Sequence, residues 1–376
     1  MATAALAFAL TLGALAVRAA FLLPSPTGPL PVGVTTLTLG RASEPGDGTP
    51  GRFDVQVWYP GGPSTDRAPY GSGSPGLRAW VYRCLVRTHA ARNVAAAQAR
   101  ARWPVLLYVA SWGGERTDNT VLAEDLASHG FVVAALGDLQ FDRPPLKRLA
   151  GPPDLGSERA YRATLLLGNA KLRYVAARAS AVLDHLTALD RGDPAGRFTH
   201  RLDLGRVGIL GFSFGGAVAL KTCRRDPRFK AAMNLDGWLF DAGSGYRGGV
   251  PYFLVTDDAA GPEGPSLTAA DPARRYAAQF TRSDDVQQHA VLRHGGYYLR
   301  IVGADHYGFT DVPLYAPLYH FGKHRVDPER LSRTIRAYAV AFFERVLTGT
   351  PSALLVPGEK KHNLMTLASW PFGSSR

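Results

Sequence analysis

The sequence has few of the residues on which disulfide-based or metal-based folds depend. Its 376 residues contain two cysteines, Cys84 and Cys223, which excludes a disulfide framework and leaves no cysteine pattern with the spacing of a metal site. Whether these two pair with each other stays open. No run of basic residues with interleaved aromatics is present, so we expect no nucleic-acid module. No internal repeat is visible.

Acidic residues are also under-represented, since 43 lysines and arginines face 31 aspartates and glutamates, a formal net charge of +12. The surplus is mostly arginine and is spread along the chain. This predicts a diffuse basic surface, with attraction to anionic lipid as an alternative. A hydrophobic content of 46% and a charged content of 20% are typical of a globular protein with a sizeable core. No cofactor or metal is implied.

The N-terminus carries the longest apolar run. Residues 1–23 form a hydrophobic segment that is borderline in length for a membrane-spanning helix and lacks the positive region of a typical signal peptide. We therefore expect either a membrane anchor or a signal peptide, with a hydrophobic helix of a soluble protein as the third possibility. The expected location is membrane-associated or secreted. A catalytic domain is predicted over 24–350, followed by a C-terminal tail over 351–376.

Strand and helix patterns alternate through the predicted domain. Residues 34–39 and 53–59 alternate as an antiparallel hairpin would, and 104–110 is a continuous apolar run typical of a central parallel strand. An apolar stripe over 158–189 predicts a long helix, and the Ala- and Arg-rich stretch 77–101 predicts another. The sequence thus predicts an α/β fold with a mostly parallel central sheet and helices on both faces.

The most informative motif lies between a predicted strand and a predicted helix. Val207–Leu210 is apolar or small, as in a buried strand, and 217–221 favours a helix. Between them stands Gly211-x-Ser213-x-Gly215, the pattern of a nucleophile elbow, in which a serine sits on a sharp strand-to-helix turn. The small neighbours let strand and helix approach, and the helix N-terminus directs its free N–H groups toward the attacked carbonyl.

A nucleophilic serine needs a base, and the base needs an acid to orient it. In α/β-hydrolases, which carry such an elbow, the catalytic residues follow along the chain in the order serine, acid, histidine, each at the carboxyl end of a strand. His306 is the histidine that directly follows a strong strand, and we predict it as the base. Asp236 follows the next strand after Ser213, whereas Asp257 and Asp258 follow the strand after that. From position alone the acid stays undecided.

The developing negative charge needs two backbone donors. One is the N–H of Phe214, directly after the nucleophile. The second is expected from the Ser-Trp-Gly-Gly turn after the strand 104–110, with Trp112 as the best candidate. The Trp112 side chain would wall the acyl pocket, and we expect Phe212, Trp238 and Leu239 to contribute to substrate binding.

Several of these segments resemble a known family. Gly211–Gly216, Asn234–Trp238 and Gly303–His306 are similar, in order and spacing, to motifs of the secreted and type II platelet-activating factor acetylhydrolases. Asp125–Ala135 is similar to the helix and strand after that family's oxyanion loop. Pro24–Gly33 resembles the proline- and glycine-rich start of its domains. The resemblance covers roughly residues 24–348.

This resemblance implies Ca²⁺-independent serine lipase or esterase chemistry on an α/β-hydrolase fold. It implies Asp236 as the triad acid, and Phe214 and Trp112 as the oxyanion donors. One departure concerns the oxyanion loop, which usually starts Ser-His-Gly in the family, whereas this chain has tryptophan at position 112.

The function we expect is a serine carboxylic ester hydrolase that acts on short-acyl esters, including phospholipid-type substrates, with association to a membrane surface as a further expectation. Bacterial relatives of the family include dienelactone-hydrolase-like and polyester-degrading esterases, so a cutinase-like role stays open. An acyltransferase that uses the same triad and a non-catalytic binding protein on this fold stay open as well.

Overall fold

The computed structural model describes residues 21–40, 53–71, 81, 84–137, 153–257, 264–315, 326–357 and 365–371. Most of the predicted N-terminal segment 1–23 lies outside these ranges. Among the described helices, none has both the length and the hydropathy that crossing a bilayer requires.

The described strands all belong to one sheet. Their bounds are β1 Val32–Leu39, β2 Phe53–Pro60, β3 Arg67–Pro69, β4 Arg87–Arg92, β5 Trp103–Val109, β6 Val132–Leu136, β7 Leu202–Phe212, β8 Phe229–Leu235, β9 Tyr252–Thr256, β10 Gly296–Ile301 and β11 Met365–Trp370. The spatial order is β11-β10-β9-β8-β7-β5-β6-β2-β1-β4-β3. The six strands from β10 to β6 are parallel to one another, and antiparallel pairs lie at both ends of this block.

The helices connect these strands. Their bounds are α1 Thr120–Ser128, α2 Glu158–Arg191, α3 Phe214–Arg225, α4 Gly264–Leu267, α5 Pro272–Leu292, α6 Val312–Tyr315 and α7 Pro328–Phe343. Side chains cap three of them, since Ser157, Asp271 and Asp327 each accept a backbone N–H from the first turn of α2, α5 and α7. A single π-helical turn, Glu344–Thr348, follows α7.

The sheet is buried on both faces, as its continuous apolar strands predict. Along β5, Val105 and Leu107 face the cluster that contains the apolar sides of α2, α3 and α5. Leu106 and Tyr108 face the opposite cluster, which contains those of α1 and α7. This arrangement confirms the predicted α/β-hydrolase fold with helices on both faces.

The sheet agrees with the sequence-based expectation at the predicted hairpin and differs from it near the C-terminus. The hairpin is present as β1 and β2, with Val34 opposite Trp58. At the other end, β11 pairs antiparallel with β10, so the segment predicted as a tail over 351–376 supplies a strand to the sheet.

Residues 81, 84 and 85 of the helix predicted over 77–101 are helical, but the prediction is wrong from Arg87 onward, because Arg87–Arg92 is β4, which pairs with β1 and β3. The Glu124 carboxylate on α1 accepts the backbone N–H groups of His89, at 3.0 Å, and Ala90, at 2.8 Å. These partners are distant in sequence, so a local Ala- and Arg-rich composition could not indicate them.

The proline-rich segment before β1 is fixed to the helices of one face. The Asp125 carboxylate is fully buried and accepts from the Thr27 N–H at 2.7 Å and from the Arg336 guanidinium at 3.0 Å. Arg336 also donates to the Ser25 carbonyl at 2.9 Å. A buried carboxylate paired in this way is costly to disrupt, because removal of one partner leaves the other buried and uncompensated.

Candidate active site

The predicted nucleophile elbow at Ser213 has the strained geometry that its sequence predicts. Ser213 lies between β7 and α3 with φ 54° and ψ −122°, a conformation that non-glycine residues rarely adopt. Its backbone N–H donates to the Leu235 carbonyl at 2.8 Å, and its carbonyl accepts from the Gly216 N–H at 2.9 Å. The serine is therefore fixed both to the neighbouring strand and to the first turn of the helix.

Two glycines after Ser213 are required by close backbone approach. A Cβ on Gly215 would lie 2.0 Å from the Val109 carbonyl oxygen at the end of β5. A Cβ on Gly216 would lie 1.8 Å from the Asn234 Oδ1 atom at the end of β8. Neither distance is compatible with any side chain, so α3 can start at this point only with glycine at both positions.

The structure brings Ser213, His306 and Asp236 together. His306 Nε2 lies 3.1 Å from Ser213 Oγ, and His306 Nδ1 lies 2.5 Å from Asp236 Oδ2. The His306 side chain is 43% exposed, whereas that of Asp236 is 12% exposed. The imidazole can therefore meet a substrate from solvent while the carboxylate behind it is shielded. Phe212 packs against the imidazole, with 4.8 Å between ring centroids.

Of the candidate acids, Asp236 is the one whose carboxylate lies at His306 Nδ1. Its backbone has φ 55°, and its N–H donates to the Val255 carbonyl at 2.8 Å. The backbone N–H of Asp257 donates to Asp236 Oδ1 at 3.1 Å, so this competing candidate orients the carboxylate that faces the histidine. Asp258 lies outside the described residues.

A buried amide that sequence reasoning missed supports the turn carrying Asp236. The Asn234 Oδ1 atom accepts from the Gly237 N–H at 2.8 Å, and its Nδ2 donates to the Gly237 carbonyl at 2.8 Å. The same Nδ2 also donates to the Tyr252 hydroxyl at 2.8 Å. Asn234 thus binds both backbone groups of Gly237 and closes the turn that contains Asp236. An asparagine at the end of a buried strand was the signal that could have revealed it.

The network continues into α5. The Tyr252 hydroxyl donates to Gln288 Oε1 at 2.8 Å, and Gln288 Nε2 donates to the Gly237 carbonyl at 2.9 Å and to Asp284 at 3.2 Å. The Asp284 carboxylate also accepts the Leu239 N–H. Burial raises the pKa of Asp284 to about 7. Helix α5 was not predicted from the sequence, so none of its contributions could be anticipated.

Aromatic rings form a wall beside the nucleophile. The Trp112 ring, in the turn after β5, meets the Phe214 ring edge to face at 5.1 Å between centroids. Phe240 packs against both, at 6.2 Å from Trp112 and 5.6 Å from Phe214. The turn that holds Trp112 is closed by the Gly114 N–H, which donates to the Ser111 carbonyl at 2.9 Å.

The three residues expected to bind substrate differ in exposure. Trp238 is 39% exposed and meets Phe280 edge to face at 4.6 Å, so its ring can contact a ligand. Phe212 is 2% exposed and lies beneath His306. Leu239 is fully buried in the core, because its backbone is tied to Asp284. Leu239 therefore supports the wall from inside in this conformation, in contrast to the expected contact with substrate.

A second set of buried carboxylates joins the segment after His306 to the segment after Trp112. Asp311 accepts from the Tyr70 hydroxyl and from the Val121 N–H, each at 3.3 Å, and its own N–H donates to the Asp118 carbonyl at 2.9 Å. Burial raises the pKa of Asp118 to about 7 and that of Asp311 well above its ordinary value. These contacts hold the two segments in a fixed relation.

Three further observations complete the description of the site's surroundings. An open groove of about 620 Å³ lies beside the aromatic wall and shares Phe240 with it; Arg282, Val286 and Gln287 of α5 line its far side. Within the described ranges, no cluster of three or more His, Cys, Asp or Glu side chains is arranged to hold a metal ion. Cys84 and Cys223 are not joined to each other.

Comparisons with known proteins show which families and folds this chain is similar to. Residues 182–255, which include Ser213 and Asp236, match the family model described as "Platelet-activating factor acetylhydrolase, isoform II". The platelet-activating factor acetylhydrolases of Bos taurus and Cavia porcellus are 28% and 26% identical over 170 and 167 residues. In each case the match covers 40% of this chain and only 38% of the relative.

A solved structure is similar over nearly the whole chain. The ferulic acid esterase from Streptomyces cinnamoneus is 26% identical, with a TM-score of 0.66, and the match covers 92% of this chain and 98% of that one. The fold is thus that of the α/β-hydrolases. The resemblance to the platelet-activating factor acetylhydrolases predicted from the sequence is confirmed.

Proposed function

We propose that this protein is a serine carboxylic ester hydrolase. The observation that carries the proposal is the continuous contact from Ser213 Oγ through the His306 imidazole to the Asp236 carboxylate. Because Nδ1 faces a carboxylate, it carries the proton, which leaves Nε2 free to accept the proton of Ser213. The names of the relatives, an acetylhydrolase and an esterase, support the same chemistry.

In the proposed reaction, Ser213 Oγ attacks the ester carbonyl carbon while its proton passes to His306 Nε2. Asp236 stabilises the imidazolium that forms. The C–O bond to the alcohol then breaks, and His306 returns the proton to the leaving alcohol oxygen. Water repeats the sequence on the acyl-enzyme, which releases the acid and restores Ser213.

The oxyanion of each tetrahedral intermediate is assigned to the backbone N–H groups of Phe214 and Trp112. Phe214 begins α3, so its N–H belongs to the unpaired first turn of a helix whose dipole favours negative charge. The ring contact between Trp112 and Phe214 supports the assignment of the second donor to the turn after β5, because it places the two residues side by side.

The substrate class that we favour is a short-acyl ester, including acetyl esters of phospholipid type. The names of the sequence relatives support this choice. The rings of Trp112, Phe214 and Phe240 crowd the space beside the nucleophile, which favours a small acyl group.

A second candidate is an ester of an aromatic acid. The structural relative that matches 92% of the chain is a ferulic acid esterase. The same rings offer faces and edges against which a planar acyl group could pack. In the first candidate the rings limit the size of the acyl group, whereas in the second they pack against a planar acyl group.

The first experiment compares wild type with Ser213→Ala on p-nitrophenyl acetate, and uses Ser283→Ala, an exposed position on α5, as the matched control. We expect Ser213→Ala to lose activity and fluorophosphonate labelling, and Ser283→Ala to keep both. Near-normal turnover by Ser213→Ala would contradict the proposed reaction. A wild-type protein that neither turns over esters nor labels would instead indicate a binding protein on this fold.

The substrate is then tested with a series of p-nitrophenyl esters of increasing chain length, an acetyl phospholipid, a polyester and methyl ferulate. A preference for acetyl over octanoyl esters supports the first candidate, and a higher kcat/KM for methyl ferulate supports the second. Added acceptor alcohols distinguish acyl transfer from hydrolysis, because transfer yields a new ester rather than the free acid.

The location of the protein is proposed from the N-terminal sequence alone. We propose membrane association or export through residues 1–23. Fractionation of cells that express the full chain, compared with a chain lacking residues 2–23, tests it. Equal recovery of both forms in the soluble cytoplasmic fraction would contradict the proposal.

A further inference from the structure

Helix α2 is packed unusually closely against the aromatic wall. A Cβ on Gly168 would lie 2.3 Å from Phe240 Cε1, so the helix approaches at a point where no side chain fits. One residue later, the Asn169 Oδ1 atom accepts the backbone N–H of Asp241 at 3.0 Å. The turn of α2 over residues 168–171 is thus fixed against Phe240 and Asp241.

Lys171, on this same turn, is fully buried. Its Nζ atom lies 4.3 Å from the centroid of the Trp112 ring and 5.5 Å from that of Phe214. Both distances are within the range of cation–π attraction, which is strongest where water is excluded. Burial of an ammonium group is costly, and an apolar residue would fill the same space at a lower free-energy cost. The cation–π contacts with the two rings offset part of this cost, and they also link the lysine to both rings.

Those two rings belong to the residues assigned as oxyanion donors. The Phe214 N–H is fixed by the start of α3, whereas Trp112 lies in a turn next to Gly113, which has φ 77°. Of the two donors, Trp112 is therefore the one that depends on its surroundings for its position. An ammonium group held over both rings connects the turn to the elbow.

We propose that Lys171 is a positioning residue that holds the Trp112 turn against the nucleophile elbow, so that the second oxyanion donor is in place before the substrate arrives. This inference rests on the proposed ester hydrolase function. Through the Trp112 N–H the contact affects the developing oxyanion rather than the bound ester, so its loss lowers kcat more than it raises KM.

The test compares Lys171→Met, which removes the charge at similar length, with Lys171→Arg, which keeps a cation. We expect Lys171→Met to lower kcat and the affinity for a short alkyl trifluoromethyl ketone by the same factor, roughly 10- to 30-fold, with KM within about twofold. Lys171→Arg should recover much of both. Lys171→Gln gives the same comparison if the methionine variant does not fold.

Lys221→Met is the matched control. Lys221, on α3, has a side chain that is 16% exposed and forms an ion pair with Asp241 at 2.9 Å. Its loss removes a largely buried lysine charge near the same wall and leaves the contact between Lys171 and Trp112 in place. We expect kcat and ketone affinity in this variant to stay within about twofold of wild type.

A double-mutant cycle with Trp112→Leu isolates the contact, because leucine keeps the backbone N–H and removes the ring. In that background Lys171→Met should have little further effect on ketone affinity. An unchanged loss there would overturn the inference, as would wild-type kcat in Lys171→Met. Either result in an active wild-type enzyme leaves the proposed function standing, whereas a wild-type protein without activity or labelling overturns both.

Discussion

Replacement of Asn234 by alanine tests whether the turn that carries Asp236 is held by a side chain. Asn234 is fully buried and makes hydrogen bonds to the N–H and the carbonyl of Gly237 and to the Tyr252 hydroxyl. The Gly237 carbonyl keeps Gln288 as a donor in the variant. The Gly237 N–H, by contrast, loses the amide oxygen that it meets at 2.8 Å.

The expected loss of stability follows from these contacts. A buried donor left without its acceptor costs about 1–3 kcal/mol, and the remaining lost bonds and the vacated space bring the total to about 3–5 kcal/mol of unfolding free energy. Tyr252→Phe is the graded comparison, because it removes one hydroxyl and leaves both contacts between Asn234 and Gly237 in place. We expect it to cost about 1–2 kcal/mol.

Activity should fall more steeply than stability. Asp236 is held at φ 55°, and release of the turn lets its carboxylate move from the His306 Nδ1 atom that it meets at 2.5 Å. A misplacement of about 1 Å costs on the order of 10²-fold in rate. Urea unfolding followed by circular dichroism gives the stabilities, and p-nitrophenyl acetate turnover gives kcat. An Asn234→Ala variant as stable as Tyr252→Phe, with wild-type kcat, would refute this account of the turn.

Three further variants test other parts of the structure. Burial raises the pKa of Glu124 from its usual 4.5 to about 7, so the native state holds a proton that the unfolded chain has lost and stability falls as pH rises through that interval. Glu124→Gln should therefore raise the free energy of unfolding, measured with urea, by on the order of 3 kcal/mol at pH 8 and by little at pH 4. An equal change at both pH values would contradict this explanation. Gly216→Ala, whose Cβ would meet Asn234 Oδ1 at 1.8 Å, should lose about 3 kcal/mol in thermal unfolding and label poorly with fluorophosphonate, whereas Gly192→Ala, with nothing within 4 Å, should do neither. Trp238→Ala should raise KM about 3- to 10-fold with kcat and stability little changed, and an unchanged KM would remove this residue from the substrate surface.

The parts of the fold that were predictable are those encoded by local pattern. The apolar run of β5 and the glycine-bounded serine between β7 and α3 each carry their structure within a dozen residues. The strand β4 does not, because its pairing depends on β1 and on the Glu124 carboxylate, which lies more than thirty residues away in sequence. Helix α5 was missed as well, and with it the polar network that closes behind the site.

The same division applies within the site. Chain order and strand ends were enough to nominate Ser213 and His306, since these signals are local. The contacts that fix them are not local, because Lys171 reaches Trp112 from α2 and Gln288 reaches Gly237 from α5. Sequence patterns could therefore nominate candidate reacting groups, but they could not show which contacts hold them.

The choice between Asp236 and Asp257 shows why position alone could not decide. Parallel strands β8 and β9 end at the same edge of the sheet, with Leu235 opposite Val255, so the residues that follow them lie side by side. The backbone conformation at each position determines which group of each aspartate lies near His306. Asp236, at φ 55°, extends its carboxylate to His306, while the N–H of Asp257 donates to that carboxylate at 3.1 Å. This N–H contact holds the carboxylate in the position in which it faces the imidazole. The second candidate is thus better understood as support for the first than as its rival.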